Sequence, residues 1–216
     1  MNTRKVNAKQ CKMVAHRGCS GLEKENTLAA FIAAGNRSYW GVETDVHRTA
    51  DGEYVVIHDS ETGRVAGDNI VIENTSFEYI RSLRLKDIDG TRTRADLRIP
   101  TLREYIAICK KYEKNCVLEF KTVYTLEQVA EMVEIIKEEG WLEHVVFISF
   151  AYDNLLNLRK ILPGHPAQFL TGEYTDAMVE MIHKDKIDLD IYFSALDEEK
   201  IKHLHDLGII VNAWTV

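Results

Sequence analysis

Four short stretches carry the residues that could do chemistry. His16-Arg17-Gly18 follow an apolar run at 13–15, and Glu43 and Asp45 stand two apart within 42–48. His58-Asp59 close the run 54–58, and Glu119 and Lys121 stand two apart within 117–121. The two histidine stretches read as strand ends and the two acidic pairs as carried on strands, where polar residues are out of place unless they work. Side chains two apart on a strand share a face, so Glu43 points with Asp45 and Glu119 with Lys121.

Asp51-Gly52 between two such runs is a hairpin signal. With these two as the central turn residues, Ala50 pairs with Glu53 and His58 falls opposite Asp45. Directly opposite residues share a face, which would stand His58 beside the acidic pair. A three-residue loop would shift that register by one.

Three carboxylates brought together cannot all stay ionised without a counter-charge. A hard divalent cation supplies one, and all-oxygen ligation favours Mg2+ or Ca2+ over zinc. Arg17 and Lys121 offer fixed positive charge for a phosphate. Two histidines beside such a centre, His16 and His58, can act as general acid and general base near neutral pH. These are the parts of a phosphodiester hydrolase.

Blander roles exist for neighbouring residues. Lys121 can simply neutralise Glu119, and Cys19 is incidental to the site. His47, one residue beyond Asp45, should face helices or solvent. Glu25 and Asn26 fix the loop that enters the first helix.

The elements that must position these groups alternate along the whole chain. Strands are expected at 13–15, 42–48, 54–58, 117–121, 145–150, 168–171, 191–194 and from 209 onward. Helices are expected at 27–36, 101–111, from a Thr125/Gln128 capping box to Gly140, at 153–161, at 176–183 and, capped by Asp197, at 198–207. Residues 60–98 are polar and irregular and read as a small insertion covering one end of the sheet. Such alternation predicts an α/β protein with a parallel sheet, as an open doubly wound sheet or a closed barrel. No glycine-rich dinucleotide loop follows the first strand, so the main Rossmann cue is missing.

Composition narrows the class further. The 216 residues suit one soluble domain, 1–216, though a (β/α)8 barrel typically needs about 250. The net charge of -7, with no basic stripe, disfavours nucleic acid as a partner and demands local cations at any phosphate site. Four cysteines without Cys-x-x-Cys spacing fit a reduced, cytoplasmic chain. No signal peptide is read at 1–12, and no apolar stretch approaches the roughly 20 residues of a membrane span.

The sequence resembles the glycerophosphodiester phosphodiesterase family. The resemblance rests on Val14-Ala15-His16-Arg17-Gly18, Glu25-Asn26-Thr27-Leu28-Ala29-Ala30-Phe31 and Val42-Glu43-Thr44-Asp45-Val46. It continues through Asp51-Gly52, His58-Asp59, Ile99-Pro100-Thr101-Leu102, Leu118-Glu119-Phe120-Lys121, Ser149-Phe150 and Asn212-Ala213-Trp214-Thr215-Val216. It implies a TIM-type (β/α)8 barrel with a small insertion after the second strand. It further implies a divalent cation on Glu43, Asp45 and Glu119, acid–base roles for His16 and His58, and phosphate contacts from Arg17 and Lys121. Trp214 matches a family aromatic that lines the substrate pocket.

The chain departs from the family in two places. Lys24 stands where the family has Pro, and the final strand and helix that follow Trp-Thr-Val in the family are absent. Seven parallel strands are read here, so the chain is cut short or the barrel is open at one edge. The implied reaction is hydrolysis of a glycerophosphodiester, such as glycerophosphocholine or glycerophosphoethanolamine, to sn-glycerol 3-phosphate and an alcohol. The rivals are a lysophospholipase D-type activity, a non-catalytic phosphate-binding barrel and a sugar-phosphate isomerase.

Overall fold

The structure is a computed structural model and describes residues 4–216. The chain forms two compact units. The first runs to Glu119 and includes Met132–Val145, and the second holds Phe120–Glu131 and Val146–Val216.

In the first unit β1 (Val14–Ala15) pairs in parallel with β2 (Gly41–Arg48), Val14 against Gly41 and Ala15 against Val42. β4 (Asn115–Phe120) lies on the other side of β2, giving the order β1-β2-β4. Seven of the eight residues of β2 are buried, its carboxylates included. Helix α1 (Leu28–Gly35) is started by Thr27, whose hydroxyl accepts from Ala30 N, the bond a helix N-terminus needs. Helix α3 (Leu102–Lys111) opens with a full capping box between Thr101 and Glu104. Phe31 and Tyr105 pack edge-to-face at 5.0 Å, and the Tyr105 hydroxyl donates to Val42 O at 2.6 Å. That bond ties α3 directly to the strand bearing Glu43 and Asp45.

The hairpin register differs from the two-residue reading. β3 (Tyr54–Val56) pairs with β2 as Val46 against Val56 and Arg48 against Tyr54. Thr49 N donates to Glu53 O at 2.8 Å, so residues 50–52 form a three-residue loop closed by Gly52 at φ +97°. Ala50 therefore does not pair with Glu53. Ile57, not His58, lies opposite Asp45 and donates to its carbonyl at 3.1 Å. Thr49 and Asp51 decide this, because the Thr49 hydroxyl donates to Asp51 and accepts from Glu53 N, closing the wider loop.

The strand expected at 54–58 stops at Val56 because the chain then turns into residues 60–98. That stretch is less irregular than its composition suggests. It contributes Val65, Ala66, Ile72, Ile80, Leu83, Leu85 and Leu97 to a buried apolar cluster completed by Val55, Ile57 and Ile99. A one-turn 3-10 helix (Ile72–Asn74) and α2 (Phe77–Ser82) supply part of it.

The second unit repeats the strand–helix alternation as β5 (Val145–Ser149), α5 (Tyr152–Ile161), β6 (Ala167–Thr171), α6 (Asp176–Asp185), β7 (Asp188–Tyr192), α7 (Glu198–Asp206) and β8 (Val211–Trp214). Its sheet order is β5-β6-β7-β8, all parallel. Between β4 and β5 the Thr125/Gln128 capping box forms in both directions and opens α4 (Leu126–Glu138). Asp197 caps α7 by accepting from Lys200 N at 2.9 Å.

The strand expected at 191–194 lies three residues earlier, and Phe193–Ala195 is a 3-10 turn. Asp188 and Asp190 disguised it, since acids are rare in buried strands. Parallel strands β1, β2, β4, β5, β6, β7 and β8 number seven among the described residues, with β3 antiparallel.

The turn after β1 shows how tightly this fold is fitted. Arg17 and Gly18 both adopt positive φ, +54° and +75°. A Cβ on Gly18 would sit 2.7 Å from the backbone carbon of Ala30. Gly18→Ala is therefore expected to destabilise the protein by about 2 kcal/mol or more, read as a lower urea midpoint. A wild-type midpoint would show that the close approach is relieved cheaply.

Candidate active site

The acidic residues of β2 and β4 meet. Glu43, Asp45 and Glu119 each present a carboxylate oxygen, and these atoms lie within 4.8 Å of one another. All three are buried, at 7%, 0% and 7% exposure. The period of a strand aims Glu43 and Asp45 to one face, and the neighbouring strand adds Glu119 beside them. Burial, then the charges of Asp45 and Glu119, pushes the Glu43 carboxyl well above the usual carboxylate range. A divalent cation is the group that fits, because it offers positive charge to three oxygen donors at once.

The β1–α1 turn brings the next layer. Its positive-φ backbone points Arg17 N at Glu43 Oε2, a hydrogen bond of 2.8 Å. The Arg17 side chain donates to Glu25 at 3.1 Å and stands 3.6 Å from Asp45. Asn26, itself at φ +53° and buried, donates to Asp45 Oδ2 at 2.7 Å and accepts from Thr44 at 2.9 Å. Asp45 is thus oriented by an amide that the loop holds in an otherwise costly conformation.

His16 Nε2 lies 3.9 Å from Glu43 Oε2, with the ring about two-fifths exposed. Burial, then the Arg17 guanidinium, lowers the pKa of His16, and the charge of His58 adds to this. His58 is therefore close enough for its charge to be felt at His16, even though it does not stand opposite Asp45. It reaches that place from the bend after β3 rather than from the strand.

His58 Nδ1 donates to Asp59 at 2.6 Å, which fixes the ring tautomer. His47, expected to face helices or solvent, is 1% exposed, and its Nε2 stands 3.3 Å from the His58 carbonyl oxygen. It anchors the backbone that carries His58.

Arg64 is the residue that sequence reading missed. It lies in the stretch taken as a polar insertion, and nothing in its local pattern marked it. Its guanidinium binds Glu25 through two bonds of 2.7 and 2.8 Å and Asp59 at 2.6 Å. Burial alone would raise the Glu25 carboxyl, but Arg64 and Arg17 pull it down to about 2. The bond from Arg64 likewise brings Asp59 to about 2.

Two of the expected site residues belong to the second unit. Lys121 follows β4 in a segment pinned by Ser149, which donates to Phe120 O at 3.2 Å, and by Asn154, which donates to Thr122 O at 2.7 Å. Trp214 ends β8 and packs on Phe150 and Tyr192, with ring centroids 5.9 and 5.2 Å away.

With this geometry in view, comparison with known proteins is decisive. The profile of the Glycerophosphoryl diester phosphodiesterase family matches residues 16–216. The chain belongs to this family. Its members are phosphoric diester hydrolases with a TIM-type barrel fold.

A glycerophosphodiester phosphodiesterase of Caldanaerobacter subterraneus is 29% identical over 210 residues, covering 94% of this chain and 85% of that protein. The solved structure of an Oleispira antarctica phosphodiesterase, in complex with the product sn-glycerol-3-phosphate, superposes with a TM-score of 0.86 at 27% identity. That match covers 95% of this chain and 84% of the other. The glycerophosphodiester phosphodiesterase of Thermotoga maritima gives a TM-score of 0.75 at 28% identity, over 95% and 85% of the two chains. No helix among the described residues is long and apolar enough to cross a membrane.

Two measurements follow from the charges. The folded-state pKa of Glu43 lies above its unfolded value, so ionising it costs stability as pH rises. Added Mg2+ or Ca2+ is expected to raise Tm, and by more at pH 8 than at pH 6. At a hundredfold excess over Kd the gain is about 2.7 kcal/mol. Glu43→Gln should remove most of it, and an equal shift in that variant would reject the acidic trio as the binding site.

Glu25 and Asp59 behave in the opposite sense. Their folded pKa values are depressed to about 2, so their contribution is whole above the ordinary carboxylate range and lost as pH falls toward 2. Acid titration followed by near-UV circular dichroism should show the Arg64→Met variant unfolding at higher pH than wild type.

Proposed function

We propose that the protein hydrolyses glycerophosphodiesters to sn-glycerol 3-phosphate and an alcohol, with Mg2+ or Ca2+ held by Glu43, Asp45 and Glu119. The observation that carries this reading is the buried acidic trio with His16 and Arg17 against its edge. The product bound to the Oleispira antarctica relative supports the choice of substrate. A bound cation would polarise the phosphoryl oxygen and ease deprotonation of the nucleophile, either a water or a glycerol hydroxyl of the substrate whose cyclic phosphate a water then opens.

The chain's own residues do the rest. Arg17, already fixed by Glu25, presents a guanidinium to the diester phosphate, and Lys121 supplies a second cation for it. Burial and the Arg17 guanidinium favour the neutral imidazole of His16, which suits it to accept the proton from the nucleophile. His58 in its doubly protonated form would give its Nε2 proton to the leaving oxygen, its Nδ1–H staying on Asp59. Trp214, in its aromatic group with Phe150 and Tyr192, forms the apolar wall for the substrate. The four free cysteines accord with a reducing, cytoplasmic setting, and the substrate proposed is a small soluble diester, with neither nucleic acid nor stable membrane insertion in the cycle.

The test is turnover of glycerophosphocholine, glycerophosphoethanolamine and a lysophospholipid, reading released sn-glycerol 3-phosphate. Chelation by EDTA should stop the reaction and Mg2+ or Ca2+ restore it. His16→Ala should lower kcat by roughly 10²- to 10⁴-fold. Activity that survives chelation would reject the metal-dependent reading, and full activity in His16→Ala would reject the proton transfer. Faster cleavage of the lysophospholipid would replace the substrate with a lipid diester.

A further inference from the structure

We propose that Arg64 is a positioning residue that sets both His58 and Arg17 through two carboxylates. The inference rests on the phosphodiesterase reading above, because it concerns how those two groups are held for that reaction.

The geometry is a bridge with one cation at its centre. Arg64 Nε donates to Asp59 Oδ2 at 2.6 Å, while Nη1 and Nη2 donate to the two oxygens of Glu25 at 2.7 and 2.8 Å. Each carboxylate then turns to a working side chain. Asp59 Oδ1 accepts from His58 Nδ1 at 2.6 Å, and Glu25 Oε1 accepts from Arg17 Nη1 at 3.1 Å. The general acid and the phosphate-binding guanidinium thus share one rigid fork.

Only a planar fork serves this arrangement. The Nη pair of Arg64 occupies Glu25 edge-on, and Nε is left for Asp59. A lysine has one compact charge and cannot match both directions. The carrier of Arg64 is itself firmly built. Thr62 is fully buried, its hydroxyl donates to Asp68 O at 2.6 Å, and Val65 and Ala66 beside Arg64 lie in the apolar cluster. The stretch 60–98 therefore does more than cover the sheet, since it delivers a cation to the back of the site. Arg64 is 45% exposed on its side chain, so packing alone does not account for it.

The test uses the whole chain with saturating Mg2+ and four variants: Arg64→Met, Arg64→Lys, Asp59→Asn and the Arg64→Met/Asp59→Asn pair. Arg64→Met is expected to lower kcat by about 10- to 100-fold and to raise KM, with the affinity for Mg2+ unchanged, since misplacement by about 1 Å costs on that order. Arg64→Lys should stay at least about fivefold below wild type. In the Asp59→Asn background the loss from Arg64→Met should shrink, because half of its path is already cut.

Should Arg64→Met fail to fold, Arg64→Lys decides, and wild-type kcat and KM there would overturn the proposal. Additive losses in the double variant would overturn it equally. The 15N resonance of His58 Nδ1 gives a readout apart from turnover. It should shift in Arg64→Met and Arg64→Lys, and an unmoved resonance would reject the positioning role. A wild-type enzyme inert toward every diester would defeat the functional reading alone, and the His58 resonance would still judge Arg64.

Discussion

Mutual repulsion among Glu43, Asp45 and Glu119 is the constraint from which the first unit is built. Three carboxylates drawn out of water onto adjoining strands are tolerable only where something answers each of them. Asn26 answers Asp45, and the Arg17 backbone answers Glu43. Three oxygen donors gathered this closely also suit a divalent cation. Donors already gathered on adjoining strands need no rearrangement to take such an ion.

Holding that arrangement consumes most of the irregular backbone nearby. Arg17 and Asn26 are both non-glycine residues at positive φ, and both use that conformation to aim a donor at a carboxylate. The helix that follows is begun by a buried threonine rather than an exposed one. Two of the five non-glycine residues at positive φ among the described residues thus lie where donors must face inward, and each of the two has an identifiable bond in return.

Much of this was legible from residue order. The two-residue spacing of Glu43 and Asp45 predicted a shared face, and the apolar context predicted that they would be buried. Capping signals at Thr125 and Asp197 placed helix starts within a residue or two. The hairpin register was not legible, because a loop of two or three residues turns on side-chain bonds of Thr49 and Asp51 that no pattern rule weighs. β7 was misplaced because Asp188 and Asp190 imitate a loop. Arg64 was invisible for a different reason. Its partners Glu25 and Asp59 lie 39 and five residues away in sequence, and only the folded chain brings both to one guanidinium.

The contact between the β1–α1 turn and α1 restricts how this region can diverge. Position 18 is pressed against the main-chain carbon and oxygen of residue 30 as closely as against its methyl group. No replacement at position 30 can make room, because the atoms in the way are those every amino acid shares. The usual route of a second, compensating change is therefore closed here. A lineage can pass through this turn only by keeping a residue with no side chain, or by rebuilding the path of the first helix altogether.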